Sequence, residues 1–341
     1  MDLLEKLCMA PGISGYEECV ADIMVEGLKK TCDEVRVDGF GNVIGRRGSG
    51  NKKIMLAAHM DEVGFLVKNI NKEGYLSFVK VGGIDDRVLY SQRVIVKAKK
   101  GDIVGVIGAK PPHLQKAEER KKVIQHEELF IDVGATSKKE AEKMVEIGDP
   151  VIFEPNYGIL KGDIHYGKAV DNRLGCYVML KVMEKLPKKL DATVYAIGSC
   201  QEEVGLKGAR VAAYAINPDY AIALDTTLAG DTPGIKENES NLKIGKGPSI
   251  TIMEASGRGV ITHPKVRDAI NKASKKAKIP VQIDVLEGGM TDAAIIYLTR
   301  EGIPSGVISV PTRYLHGPSS VFNMKDVNNA VKLTLETVKN L

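Results

Sequence analysis

The chain has 341 residues, enough for one large domain or two ordinary ones. Hydrophobic residues make up 43% and charged residues 27%, a globular balance, and a net charge of +4 on 48 basic and 44 acidic residues is too mild for a nucleic-acid partner. Five cysteines, Cys8, Cys19, Cys32, Cys176 and Cys200, show no C-x-x-C pair and fit a reducing compartment better than a disulfide framework. The start, Met-Asp-Leu-Leu-Glu, has no signal-peptide pattern, and no apolar run reaches the roughly 20 residues of a membrane span. A cytoplasmic protein without membrane contact is expected.

Ser14-Gly15-Tyr16-Glu17 reads as a capping box, and Cys19-Val20, Ile23-Met24 and Gly27-Leu28 behind it give helical spacing. Glu34–Asp38 alternates as a strand, Gly39–Asn42 is a turn, and Val43–Arg46 is a second strand. Ile54–Ala58 is an apolar strand that runs into His59-Met60-Asp61. After residue 67 the texture changes. Short strands at 75–84, 93–97, 103–107, 130–133 and 151–154 are separated by glycines and prolines, with one short helix near 138–145. The polar, aperiodic stretch Pro111–Lys122 inside this region reads as a long loop. From residue 170 the α/β rhythm returns, with helices predicted at 173–185, 208–215, 264–278, 292–300 and 325–340. The expected architecture is an α/β domain of residues 1–66 and 164–341, interrupted by a smaller β-rich, barrel-like insert of residues 67–163.

Acids and histidines sit where the predicted strands end. Ile54–Ala58 leads to His59 and Asp61, Thr193–Gly198 to Glu202-Glu203, Tyr220–Leu224 to Asp225, and Gly306–Val310 to His316. In open α/β sheets, ligands bind beyond the carboxyl ends of the strands. Nitrogen and oxygen donors together suit zinc, cobalt or manganese, so the pattern points to a metallohydrolase. On an extended segment His59 and Asp61 point the same way, and the carboxylate can hold the second ring N–H of a metal-bound histidine. Asp171 opens a predicted helix and could equally be its N-cap. Glu202-Glu203 could be a solvated turn, but adjacent acids face different ways, so one can bind metal while the other stays free as a base. Asp225 follows a wholly apolar run and needs a partner or a metal. His113, His126, His165 and His263 read as ordinary surface or loop histidines. G-x-S-x-G, H-E-x-x-H, the P-loop lysine motif and G-x-G-x-x-G after the first strand are absent. Glu202 with Asp225 could be nominated as the acid pair of a glycosidase. Yet two histidines beside them, no Trp and 5% aromatic residues do not suit sugar subsites.

The segments 58–64 (AHMDEVG), 168–173 (KAVDNR), 202–209 (EEVGLKGA), 230–234 (GDTPG), 291–293 (TDA) and 311–316 (PTRYLH) resemble, in order and along nearly the whole chain, the tetrahedral (TET) dinuclear-metal aminopeptidases. That family includes glutamyl and deblocking aminopeptidases, and some members carry an endoglucanase label. The resemblance implies a mixed-sheet, zinc-peptidase-like catalytic domain with an inserted dimerisation domain, and hydrolysis of the N-terminal residue from peptides with a free N-terminus. It implies two divalent ions per subunit, zinc or cobalt, bridged by Asp171. His59 and Asp225 would complete one site, and Glu203 and His316 the other. Glu202 would be the general base and Asp61 would steady His59. It also implies a homododecamer built from dimers, with the Pro111–Lys122 loop near subunit contacts. Gly317 and Val170 depart from residues common in the family, next to ligand positions but not at them.

Overall fold

A computed structural model describes all 341 residues. In chain order its elements are α1 (Leu3–Met9), α2 (Glu18–Lys29), β1 (Glu34–Val37), β2 (Val43–Arg47), β3 (Lys52–His59), β4 (Gly64–Ile70), β5 (Leu76–Val81), β6 (Arg93–Ala98), β7 (Gly101–Gly108), β8 (Phe130–Asp132), α3 (Lys138–Ala141) and β9 (Pro150–Phe153). There follow β10 (Tyr157–Lys161), β11 (Ile164–Gly167), α4 (Val170–Lys185), β12 (Ala192–Ser199), α5 (Lys207–Ile216), β13 (Tyr220–Leu228), β14 (Ser249–Met253), α6 (Pro264–Ala277), β15 (Gln282–Val285), α7 (Ala293–Ile296), β16 (Ser305–Arg313), β17 (Ser320–Asn323) and α8 (Met324–Asn340). No helix is long and apolar enough to cross a membrane.

Eleven strands form one mixed sheet in the order β1-β2-β12-β3-β13-β16-β17-β11-β10, with β14 and β15 branching from β16. The centre, β12-β3-β13-β16, is parallel, so four strands end at one edge. β3 shows why the sheet is covered on both faces. Its exposed Lys52 and half-buried Lys53 give way to six buried residues, and alternate side chains enter different cores. Ile54, Leu56 and Ala58 pack with α1, α2, α4, α6 and α8, while Met55 and Ala57 pack with α5 and α7.

The six strands β4-β5-β8-β7-β6-β9 close into a separate barrel. Phe65 lies at its centre, edge-on to Phe78 (5.0 Å) and Phe153 (5.3 Å). The barrel strands run from Gly64 to Phe153, and β10, expected within the insert, instead pairs with β11 at the edge of the large sheet. The boundary is hard to read because β10 and β11 form a tight hairpin with the short, glycine-bearing texture of the barrel strands. Two further expectations change. The helix over 292–300 shrinks to Ala293–Ile296, and α1 adds a seven-residue helix capped by Asp2. Thr299 and Gly302 turn the chain out of α7 before it can lengthen.

Candidate active site

The parallel strands bring the predicted residues to one edge. His59 is the last residue of β3 and pairs in register with Ser199, the last of β12. Glu202 and Glu203 follow three and four residues later, Asp225 lies on β13 beside Ser309, and His316 lies three residues past β16. Asp171 is not the N-cap. Its φ of −80° and ψ of 109° are extended, and Asn172 takes the capping role by accepting from Gly175 N at 2.9 Å. Asn172 also donates to Leu224 O at 2.8 Å, which ties the start of α4 to β13. Gly175 is required there, because a Cβ would stand 2.3 Å from that same carbonyl. The Asp171 side chain is thereby free to face the cluster.

Its two oxygens face two different histidines. Asp171 Oδ1 is 3.1 Å from His59 Nε2, and Oδ2 is 3.3 Å from His316 Nε2. Each imidazole is held through its other nitrogen. His59 Nδ1 lies 3.1 Å from the Asp61 carbonyl and 3.3 Å from Asp61 Oδ1, and His316 Nδ1 lies 2.8 Å from the Gly83 carbonyl. A carbonyl only accepts, so both Nδ1 atoms carry a proton and both Nε2 atoms point into the cluster, where they donate to Asp171 in the metal-free protein and would offer a lone pair to a bound ion. Asp225 Oδ1 is 3.8 Å and Glu202 Oε2 3.9 Å from His59 Nε2, and Glu203 Oε1 is 3.5 Å from His316 Nε2. His59, Asp171 and Asp225 form one group able to hold an ion, and Asp171, Glu203 and His316 another, each with donor atoms within 4.8 Å of one another. His59, Glu202 and Glu203 also meet that limit.

The electrostatics fit cations. Five carboxylates, of Asp61, Asp171, Glu202, Glu203 and Asp225, share the site with two imidazoles, and no lysine or arginine pairs with them there. Burial pushes Glu202 and Asp225 well above the usual carboxylate range, and Glu203 up to about 7. Asp171 moves down. Burial opposes this, but the His316 and His59 hydrogen bonds prevail. Asp61 is also lowered, since His59, Ser14 and the Glu202 amide outweigh its burial. Glu203 Oε1 is buried with no hydrogen-bond partner. An acid-rich, orphan-bearing cluster of this kind suits a bound metal cation.

A narrow cleft opens onto the cluster between the barrel, at Val63 and Phe153, and the sheet, at Asp171, Glu203, His316 and Ser320. Two features had no signal in the sequence. One is the Gly83 carbonyl, which the barrel lends to His316. The other is a buried ion cluster beneath the site, in which Glu62 meets Lys168 Nζ at 2.7 Å and Arg173 Nη2 at 3.3 Å. All three residues lie inside the motif segments, but nothing in their spacing announces that they pair.

The M42 glutamyl aminopeptidase model matches residues 41–333. A solved aminopeptidase from Desulfurococcus kamchatkensis is 42% identical, superposes with a TM-score of 0.95, and the match covers 99% of this chain and 94% of that one. Lysyl aminopeptidase of Pyrococcus furiosus is 36% identical over 344 residues, 100% of this chain and 97% of its own. The Pyrococcus horikoshii TET1 peptidase, described as assembling into a tetrahedron or a large octahedral shell, is 37% identical with a TM-score of 0.88, over 98% of each chain. With a family match over most of its length and relatives this similar from end to end, the chain belongs to the M42 glutamyl aminopeptidase family.

Proposed function

We propose that this aminopeptidase removes N-terminal residues from peptides at a centre for two divalent ions, zinc or cobalt, bridged by Asp171. The observation that carries the reading is the division of the Asp171 carboxylate, one oxygen toward each imidazole Nε2 at 3.1 and 3.3 Å. His59 and Asp225 would hold one ion with it, and Glu203 and His316 the other. Bound ions of this kind lower the pKa of water and polarise a scissile carbonyl.

The remaining work falls to the chain's own groups. Glu202 is buried and donates only its amide, to Asp61 Oδ1 at 3.0 Å, so its carboxylate is available as general base. It takes a proton from the attacking water and returns it to the leaving amine. Asp61 orients His59 and anchors the amides of both glutamates. The barrel acts as a dimerisation module, and the subunits assemble into a closed homo-oligomer, a dodecamer built from dimers, as the P. horikoshii relative's tetrahedral assembly suggests. The test is hydrolysis of aminoacyl-p-nitroanilides with and without chelator, beside a cellulose substrate and an N-acetylated peptide. Chelator-sensitive release of N-terminal residues is expected. Cellulose cleavage, or internal peptide cuts as first products, would refute the reading.

A further inference from the structure

Ser14 and Glu17 have the spacing of a capping box, yet α2 begins at Glu18 without any side-chain cap. Both side chains turn away from the helix and toward the catalytic edge. Ser14 Oγ donates to Asp61 Oδ2 at 2.6 Å. Glu17 Oε1 accepts from Gly15 N at 2.8 Å and from Gln201 N at 3.0 Å. Both residues are buried, at 9% and 6% exposure. The helix start forgoes its caps, and the groups suited to that task are spent 47 and 184 residues away in sequence.

We propose that Ser14 and Glu17 are positioning residues for the metal centre, Ser14 acting through Asp61 and Glu17 through the turn that carries Glu202 and Glu203. This rests on the metal-centre reading above. Asp61 is the hub. Its Oδ1 accepts from Glu202 N at 3.0 Å and faces His59 Nδ1 at 3.3 Å, and its Oδ2 accepts from Glu203 N at 3.1 Å. Rotation of this one carboxylate would move the His59 ring and the backbone origin of both glutamates together. Without Ser14, Oδ2 keeps a single donor, the Glu203 amide. Glu17 braces the other flank, holding the amide of Gln201, whose φ of +57° makes the sharp turn into Glu202. The N-terminal segment, which supplies no ligand, thus fixes the orientation of a histidine ligand, a carboxylate ligand and the base.

The experiment uses full-length protein stripped of metal, zinc as the probe, and a competing chromogenic chelator to read zinc affinity, with circular dichroism confirming that each variant is folded at the assay temperature. Outer partners of metal ligands are worth about 10–100-fold in affinity or activity, and Ser14→Ala, one step further out, is expected at the low end, about tenfold weaker in zinc binding. At saturating zinc, kcat should fall about tenfold with KM little changed, because the loss concerns the orientation of the reacting groups. Ser14→Thr keeps the hydroxyl and should recover most of both losses. Glu17→Ala gives the same readouts from the other flank if Ser14→Ala does not fold. A purely structural Ser14 would lower the melting temperature and leave the zinc affinity of the folded protein at the parent value. That result, or a folded Ser14→Thr as impaired as Ser14→Ala, would overturn the proposal. A stripped parent that took up no zinc would overturn the metal-centre reading beneath it.

Discussion

Replacing Glu62 by glutamine removes the anion that faces two buried cations. The side chains of Glu62, Lys168 and Arg173 are 3%, 1% and 0% exposed. Lys168 Nζ lies 2.7 and 2.8 Å from the two Glu62 oxygens, and Arg173 Nη2 lies 3.3 Å from one of them. Arg173 further donates to the carbonyls of Met60, Leu7 and Ala10, so the cluster binds the N-terminal segment to the loop of His59 and to the start of α4. Glutamine keeps the shape and an acceptor for Gly12 N but leaves two positive charges without a counter-ion. Breaking a buried ion pair from one side costs about 3–5 kcal/mol. At roughly 2–4 °C per kcal/mol for a sizeable domain, the melting temperature should fall by about 6–20 °C. Lys168→Met is the contrasting change. It leaves one anion against one cation, removes an ammonium whose pKa burial already depresses, and leaves the Ala10 carbonyl its second donor, Arg173 at 2.9 Å. Its cost should stay below about 2 kcal/mol. Differential scanning calorimetry of the three proteins in chelator reads the order directly. A Glu62→Gln variant melting within about 2 °C of the parent, or a Lys168→Met variant melting below it, would refute the charge argument.

Three further outcomes are expected. Glu202→Gln should bind as much metal as the parent while turning over about 10²–10⁴-fold more slowly, whereas Glu203→Gln should lose metal and regain part of its activity in excess metal. Elemental analysis beside kcat separates them, and the opposite pattern would exchange their roles. In metal-stripped protein, burial raises Glu203 from 4.5 to about 7, and His316 rises from 6.5 to about 9, since Asp171 outweighs the burial that would lower it. The raised Glu203 carboxyl costs stability as pH climbs from 4.5 to about 7, and the stabilisation from the His316–Asp171 pair, full below 6.5, is lost by about 9. The melting temperature of the stripped protein should therefore fall between about pH 5 and pH 9 and recover with zinc, and a flat or rising profile would contradict this. Light scattering should give a mass well above that of a dimer, and a fully active, persistent monomer would count against the assembly.

Much of the fold was legible because the parallel strands are short, apolar on both faces and bounded by turns, so Ile54–Ala58, Thr193–Gly198 and Gly306–Val310 announce themselves. The site residues were legible for a related reason. A parallel sheet sends all its strand ends to one edge, so polar residues directly after such runs fall together without any fixed spacing. The Ser14–Glu17 spacing misled for the same local reason that made it attractive, since capping groups are also good partners for a remote carboxylate and amide. Gly83 was invisible because its contribution is a backbone carbonyl brought across from the barrel, and no side-chain pattern encodes that. α1 was missed because its apolar residues, Leu4, Leu7 and Cys8, span little more than one turn.

The division of Asp171 between two imidazoles is most directly tested by counting ions. Stripped protein titrated with zinc in a calorimeter, with elemental analysis of the dialysed product, should take up two equivalents per subunit, and Asp171→Asn should weaken both. One equivalent at full activity, or an Asp171→Asn variant that keeps both ions at parent affinity, would contradict a centre built around that carboxylate.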